Sequence, residues 1–386
     1  MNQPLQQEAL SQDAVQFSLS RADFIKSLSH VQSVVEKRGT IPILGNVKIE
    51  AHDGMIEFSA TDMELAVVDK VSAQVAYAGA LTVPAHMLYD IVRKLPDGED
   101  VTLSEEKDAS KVRVSSGTSR FSLSTLPVDD FPALSEGDLP HSFVLTRDEC
   151  KALLEKTRIA MSNDETRYYL NGIYLHAAED NGEAVLRSVS TDGHRLARMQ
   201  VGLPSGAANM PGVIIPRKAV SEMLKLLEDA PNEVKISLSD TKIRLVCGDV
   251  ILVSKLIDGS FPDYSRVIPT GNDKMLEVTA TDFAKAVDRV SIISSDKARG
   301  VKLSIQENQL GLSASSTEQN SGEESLNASF DGEGFDVGFN SRYLLDVLGL
   351  IEGDAVRFTL ADASAPALLS DPEDTGGLFV IMPMRV

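Results

Sequence analysis

Cysteine is scarce in this chain, with Cys150 and Cys247 the two among 386 residues. They form no metal-spaced or redox-spaced pair and give little sign of a disulfide scaffold. No apolar run approaches the roughly 20 residues that a membrane-spanning helix needs. The segment Met1 to Gln16 is Gln-rich and polar, without the basic start and apolar stretch of a signal peptide. Also missing are Gly-x-x-x-x-Gly-Lys-Ser/Thr, His-Glu-x-x-His and Gly-x-Ser-x-Gly, the signatures of phosphate loops, zinc proteases and serine hydrolases. Basic charge is in deficit, with 37 Lys plus Arg against 57 Asp plus Glu and a net charge of −20. Such a balance argues against indiscriminate binding to nucleic acid. These absences predict a cytoplasmic, non-membrane chain with no metal, nucleotide or other cofactor.

What is present begins at the tail, Val380-Ile-Met-Pro-Met-Arg-Val386, which is apolar and sets Met on both sides of a Pro. Chain ends usually fray. An apolar end is therefore either a strand pinned to a sheet or part of an adaptable surface, for which the unbranched Met side chain is suited. A chain of this length predicts two or three domains.

Internal repeats give the count. Phe17-Ser-Leu-Ser-Arg-Ala-Asp-Phe-Ile-Lys-Ser-Leu28 matches Phe143-Val-Leu-Thr-Arg-Asp-Glu-Cys-Lys-Ala-Leu-Leu154 and Leu276-Glu-Val-Thr-Ala-Thr-Asp-Phe-Ala-Lys-Ala-Val287. Each reads as a short alternating strand, a Ser or Thr helix cap, acid in the first turn, then an amphipathic helix. A second element recurs in the same order as Val83 to Leu95, Ile215 to Leu227 and Phe339 to Ile351, with Pro or Asn at the helix start. Between them lie alternating strands with turn signals at Asp53-Gly54 and Asp180-Asn-Gly182. The expectation is three copies of a strand-rich unit, each carrying two short helices.

Charge sorts by element. The segments expected to be helical (20–38, 84–95, 141–162, 216–227, 281–299, 340–351) hold 18 basic and 11 acidic residues, so the acidic excess lies in strands and loops. Helices carry Lys and Arg on solvated faces in any case. Acids suit a helix equally well, however, and their deficit there predicts one mildly basic surface on an acidic molecule, able to meet phosphates in one place and repel them elsewhere.

The chain resembles the bacterial DNA polymerase III beta subunit family, the sliding clamps, from about Phe17 to Val386. The resemblance rests on Pro42-Ile-Leu-Gly-Asn46, Arg120-Phe-Ser-Leu-Ser-Thr-Leu-Pro127, Arg167-Tyr-Tyr-Leu-Asn-Gly172, Thr191-Asp-Gly-His-Arg-Leu-Ala197, Phe261-Pro-Asp-Tyr264 and Met382-Pro-Met-Arg385, in this order on a threefold repeat. It implies an α+β fold of three DNA-clamp domains, each with two helices backed by antiparallel sheets, at residues 16–138, 139–271 and 272–386. Residues 1–15 would be a disordered N-terminal extension. Two chains would close head to tail as a homodimeric ring around double-stranded DNA, without sequence reading. Such a ring would tether the replicative DNA polymerase subunit after an ATP-dependent clamp loader opens it. Other polymerases and repair proteins with a Gln-Leu-x-Leu-Phe-like motif would share the same pocket.

The resemblance also assigns residues. The partner-peptide pocket maps to Leu170, Thr191, Gly193, His194, Arg195, Leu196, Pro262, Arg266, Val267, Val380, Ile381, Met382, Pro383, Met384, Arg385 and Val386, with Arg195 and Arg266 placed at the rim. DNA contacts map to Arg38, Tyr168, Tyr169 and Lys218, with Lys37 and Arg217 as neighbours. Asp164 stands at one family contact position, where an anion would repel phosphate. Ile292 and Ile293 fall at the ring interface, and two adjacent Ile near a helix end cannot both enter one core. Thr317–Ser325 reads as a polar loop. Asp62 and Asp192, at equivalent repeat positions, would be a shared structural turn rather than a carboxylate pair. His194 follows a Gly with no second His or Cys at ligand spacing, so packing or hydrogen bonding is favoured over metal binding or catalysis. Two other classes compete: an enzyme on a repeated β-rich scaffold, and a repeat-built protein-binding scaffold that does not encircle DNA.

Overall fold

The computed structural model describes residues 15–36, 39–106, 110–133, 137–294, 299–316 and 319–385. In the first repeat the order is β1 (Gln16–Ser20), α1 (Arg21–Gln32), β2 (Asn46–His52), β3 (Met55–Thr61), β4 (Leu65–Ser72), β5 (Gln74–Tyr77), β6 (Gly79–Pro84), α2 (Ala85–Lys94), β7 (Asp100–Glu105), β8 (Lys111–Ser116) and β9 (Ser119–Ser124). The second runs β10 (His141–Thr146), α3 (Arg147–Arg158), β11 (Gly172–Asp180), β12 (Glu183–Thr191), β13 (Arg195–Gly202), β14 (Val213–Pro216), α4 (Arg217–Glu228), β15 (Glu233–Leu238), β16 (Lys242–Cys247) and β17 (Val250–Lys255). The third runs β18 (Lys274–Thr279), α5 (Ala280–Ser291), β19 (Gly300–Gln306), β20 (Gln309–Ser315), β21 (Ser321–Asp331), β22 (Phe335–Asn340), α6 (Ser341–Leu348), β23 (Ala355–Leu360), β24 (Ala367–Ser370) and β25 (Leu378–Ile381). Each repeat thus has two α-helices among the described residues, one after its first strand and one after a later strand.

The repeat motifs act locally as their residues require. Ser20 caps α1 by accepting from the Asp23 N–H at 3.1 Å, and Asn340 caps α6 by accepting from the Arg342 N–H at 3.0 Å. Thr279 stands at the cap of α5 without a side-chain bond. Asp53-Gly54 and Asn181-Gly182 take left-handed φ (49° and 75°, 50° and 85°), the conformation that closes the β2–β3 and β11–β12 hairpins. The helices are shorter than expected: α1 ends at Gln32 and α5 at Ser291, so Arg38 and Arg299 lie beyond them. Within their observed bounds the helices hold 14 basic and 10 acidic residues, a smaller excess than the longer segments gave.

The chain divides into two compact units that do not follow the repeat boundaries: Met1–Arg147 with Ser221–Lys255, and Asp148–Val220 with Leu256–Val386. The reason is strand pairing. In the first unit β17 joins β4 antiparallel, giving the sheet β10-β15-β16-β17-β4-β3-β2-β6 beside a smaller one, β5-β1-β7-β8-β9. In the second, β13 joins β25 within a sheet that runs from β14 to β22.

Core positions repeat as well. Phe24 on α1 lies 6.5 Å from Phe17 of β1 and 5.4 Å from Phe58 of β3, ring centre to ring centre, so one side chain ties α1 to both sheets of its unit. Phe283, at the same place on α5, packs on Phe358 of β23 at 5.7 Å. Cys150 occupies the matching place on α3 and is buried, which makes it a small core residue. Burial pushes the Cys247 thiol up to about 12, so it too is an inert thiol.

Two further expectations change. Val15, assigned to the extension, is buried, and its carbonyl accepts from the Glu105 N–H at 2.9 Å; residues 1–14 lie outside the described residues. Ser321–Ser325 is not loop: it begins β21, which pairs with β20 from Ser315↔Ser321 onward. Alternation of polar and half-buried side chains on a sheet edge reads as loop when composition alone is weighed.

Candidate functional site

The site grows from one turn. Thr191 Oγ1 donates to the Arg195 carbonyl at 2.7 Å and accepts from the Gly193 N–H at 3.1 Å. Asp192 Oδ1 accepts from the N–H groups of His194 and Arg195 at 2.9 and 3.0 Å. Gly193 has φ of 91°, the conformation that calls for glycine, while a Cβ there would meet only the movable end of Arg167, Nη1 at 2.9 Å. The turn launches β13, and β25 pairs with it at Arg195↔Ile381 and Leu196↔Val380. Beyond the pairing, the Met382 N–H donates to the His194 carbonyl at 3.0 Å, and the Met384 N–H to the Gly338 carbonyl at 2.9 Å. The tail is therefore strand and surface in succession.

Leu196 and Val380 are buried with Val189, and Phe261, Tyr264, Ile268 and Leu368 pack on them. Ile381 and Leu170 are buried too. Leu196 and Val380 thus make a floor rather than an open cleft, while Ile381 packs in the larger core with Phe283 and Phe358. Exposed apolar surface comes from Val267 (46%) and Met382 (43%), with Pro262 exposed and Pro383 and Met384 half-buried. Arg385 is exposed and Val386 lies outside the described residues.

Arg195 departs from its expected role at the rim. Its side chain is mostly buried, with Nε donating to Asp192 at 3.2 Å, Nη1 to Asp346 at 2.6 Å, and the guanidinium 4.3 Å over the Tyr343 ring. Two carboxylates and an aromatic face hold it as a wall. Arg266 stays in solvent, with Nε 2.8 Å from Asp263. His194 is exposed, and among the described residues no group of three His, Cys, Asp or Glu is placed to hold a metal.

The Phe-Pro-Asp-Tyr segment is seated by an aromatic ladder. Tyr174 stacks on His176 at 4.6 Å and on Phe261 at 4.9 Å. His176 Nδ1 lies 2.9 Å from the Ala177 carbonyl, which can only accept. Neutral His176 therefore carries its proton on Nδ1, and Nε2 accepts from the Tyr264 hydroxyl at 3.0 Å. Burial, reinforced by the Arg187 charge, holds the His176 pKa below its ordinary value despite the opposing hydrogen bond to Ala177. Arg187 Nη1 donates to the same hydroxyl at 3.2 Å.

Tyr343, Asp346 and Arg167 were not singled out from sequence. Tyr343 had a signal: it takes the place of Met87 and Ala219 in the other copies of its helix motif, so the aromatic is peculiar to the third.

The other candidate residues fall elsewhere. Lys37 and Arg38 lie outside the described residues. Tyr168 is exposed and meets Tyr169 edge-on at 5.8 Å, above Gly259, where a Cβ would come within 3.1 Å of Tyr169. Arg217 has a task within the fold that sequence did not predict: its Nη2 donates to the Met161 and Ser162 carbonyls at 2.9 and 2.8 Å. Lys218 is half-buried beside it. Asp164 caps the short helix Glu165–Leu170, accepting from the Thr166 N–H at 2.9 Å and pairing with Arg167 at 2.9 Å. Hydrogen bonds from Thr166 and Arg167 bring its pKa down to about 2. Ile292, at the end of α5, is 79% exposed, while Ile293 packs on the core against Gly322.

Three sheet-backed repeats with an apolar surface at the β13–β25 junction have the organisation of a binding protein of the clamp class. Comparison with known proteins agrees. The family models for the DNA polymerase III beta subunit match in chain order: the N-terminal domain at residues 15–135, the central domain at 144–263 and the C-terminal domain at 265–385. The beta sliding clamp of Caulobacter vibrioides is 46% identical over 372 residues, covering 96% of this chain and 100% of the relative. That of Escherichia coli is 40% identical over 377 residues, covering 96% and 100%. A crystal structure of a DnaN sliding clamp from Bartonella birtlesii bound to griselimycin superposes with a TM-score of 0.93 at 49% identity, covering 97% of this chain and 100% of that one. The chain belongs to the DNA polymerase III beta subunit family, the beta sliding clamps, and is a non-catalytic processivity factor.

Proposed function

We propose that two copies of this chain close head to tail into a ring around duplex DNA, and that partners dock at the β13–β25 junction. The replicative polymerase, other polymerases and repair proteins would present a Gln-Leu-x-Leu-Phe-like segment there, after an ATP-dependent loader has opened the ring in the cytoplasm. One observation carries the docking reading: Val267 and Met382 expose apolar surface beside a junction whose floor, Val189, Leu196 and Val380, is already packed. A peptide's Leu and Phe gain burial on a surface that needs no rebuilding. The Tyr168–Tyr169 pair and Lys218 are proposed to meet DNA by stacking and charge, together with Lys37 and Arg38. Arg217 is left to its main-chain bonds. Ile292 is proposed as an apolar contact between protomers, since a single exposed Ile at a helix end gains from cover.

A labelled Gln-Leu-x-Leu-Phe peptide titrated against the intact protein and a form lacking Met382–Val386 tests the pocket. Saturable binding lost on truncation supports it; undiminished binding by the truncated form places the site elsewhere. Light scattering should give twice the 41.7 kDa of the chain and a reduced mass for Ile292→Asp, with peptide binding kept. An unchanged mass for that variant would move the interface away from Ile292.

A further inference from the structure

A row of side chains crosses four strands beside the partner floor. Val189 of β12 stands opposite Tyr174 of β11 on one side and Arg198 of β13 on the other, and Arg198 stands opposite Leu378 of β25. Cross-strand partners share a face of the sheet, and so do residues two apart on one strand. Arg198 therefore lies on the face of Val189 and Leu196, and a cation borders the apolar floor that these two make with Val380.

That cation has no acceptor within the chain. Arg198 is half-buried and its Nε is buried without a hydrogen-bond partner; among the described residues neither Nη1 nor Nη2 has a hydrogen bond or a carboxylate partner. The neighbouring Arg187 is the opposite case. Its Nε and Nη2 donate to Gln200 Oε1 at 3.0 and 2.7 Å, Nη2 also to Asp180 at 3.2 Å, and Nη1 to the Tyr264 hydroxyl at 3.2 Å. Asp180 is the acid whose charge acts on Arg198, yet its two oxygens already accept from Arg187, Gln200 and Asn181. Two guanidinium groups thus share one carboxylate. Burial, then the Arg187 charge, holds the Arg198 pKa below its ordinary value against the pull of Asp180 and Tyr264. A cation that loses water without gaining an acceptor destabilises a fold, whereas an apolar side chain here would simply extend the floor. The planar fork of Arg198 is complemented by a carboxylate brought from outside the chain.

We propose that Arg198 receives an acidic residue of the docked partner segment, placed beside the segment's apolar anchors. The proposal rests on the peptide reading of the β13–β25 junction and adds a polar specificity determinant to it. Leu196 and Arg198 are two residues apart on an extended strand, about 7 Å, so the acid belongs within a residue or two of an anchor. Segments without the acid bind through apolar contacts alone, which ranks partners that compete for one pocket.

Fluorescence titration of the full chain with labelled peptides blocked at both ends tests this. The neutral probe is Gln-Leu-Ala-Leu-Phe, and the acidic probes carry Asp in place of Ala, before Gln or after Phe. At least one acidic probe should bind the parent protein about tenfold more tightly than the neutral one, with the advantage shrinking as salt is added. Arg198→Gln should bring the acidic and neutral probes to equal affinity, and Arg198→Lys should keep part of the difference. Four probes of equal affinity for the parent overturn the proposal and leave the pocket standing. An acidic advantage that survives in Arg198→Gln overturns it too, by assigning the acid to another cation. Failure of every probe to bind brings down the pocket reading and the proposal with it. Urea unfolding of Arg198→Met gives a check that needs no peptide. That variant should be at least as stable as the parent; a clear loss of stability would mean that the chain itself holds the guanidinium, and overturns the proposal.

Discussion

The turns at Thr61–Leu65 and Thr191–Arg195 share a hydrogen-bond template and differ in nearly every side chain that is not part of it. Thr and Asp are kept because each makes two bonds that fix the backbone. Position three is Met in one turn and Gly in the other, though both have positive φ. Position five is a buried Leu65 in one and Arg195 in the other, clamped by Asp192 and Asp346. The contrast separates what makes the turn from what makes the site. Backbone acceptors set the first, and the residues that the following strand places on its face set the second.

The largest test of that separation is Leu196→Ala. Removing a side chain that packs with Val189 and Val380 should lower stability by about 2–5 kcal/mol, read by urea unfolding, and abolish peptide binding. Ala66→Leu at the matching place on β4 should cost far less, since it enters a cavity of about 400 Å³. Equal costs would mean that the two faces are packed alike. Next comes Gly193→Ala, where left-handed φ should cost about 1–2 kcal/mol, since Arg167 Nη1 ends a flexible side chain that can move aside. Its mirror, Met63→Gly, should stabilise by roughly 0.5–1 kcal/mol, since relief of left-handed strain exceeds the entropy that Gly loses. A destabilised Met63→Gly would show that the Met side chain already packs against something.

The smallest expected effect is in pH. The folded His176 has a pKa below its ordinary 6.5, chiefly through burial. Unfolded, the imidazole takes up a proton near 6.5, so between that value and the lower folded one the unfolded chain binds more protons. Stability from this group is complete above 6.5 and is lost as pH falls through the folded value. Chemical denaturation across that range should show the slope, and His176→Gln should flatten it. The peptide site should weaken over the same range, because protonated Nε2 can no longer accept from Tyr264.

Much of the architecture was legible because repeats reinforce one another. Phe17, Phe143 and Leu276 each open a strand that leads into a helix, and three agreeing copies outweigh the ambiguity of any one. That one of Ile292 and Ile293 is exposed could be read from their adjacency, though not which of them. What sequence could not reach was partnership across long separations. Arg195 looked like a rim cation because Asp346 and Tyr343 lie about 150 residues away in the chain. Arg217 looked free for phosphate because its carbonyl partners at Met161 and Ser162 belong to no motif. Leu170 and Leu196 read as plain core from their own sequence and as cleft only through the family resemblance, and both are buried. The helix ends were overrun for a simpler reason: Lys and Arg continue past Gln32 and Ser291 without a Pro or Gly to mark the stop.

The pairing of β17 with β4 also sets a timetable. While the chain is being synthesised, β4 is complete by Ser72, yet the strand that covers its open edge ends at Lys255. For some 180 residues of elongation, at about 5–20 residues per second, that edge faces whatever is nearby. Lys70 and Asp69 near its far end place charge where a stray strand would add. A fragment cut at the end of the first repeat would keep its own helices and carry a permanently unpaired strand, so the shortest piece of this chain able to fold quietly extends well into the second.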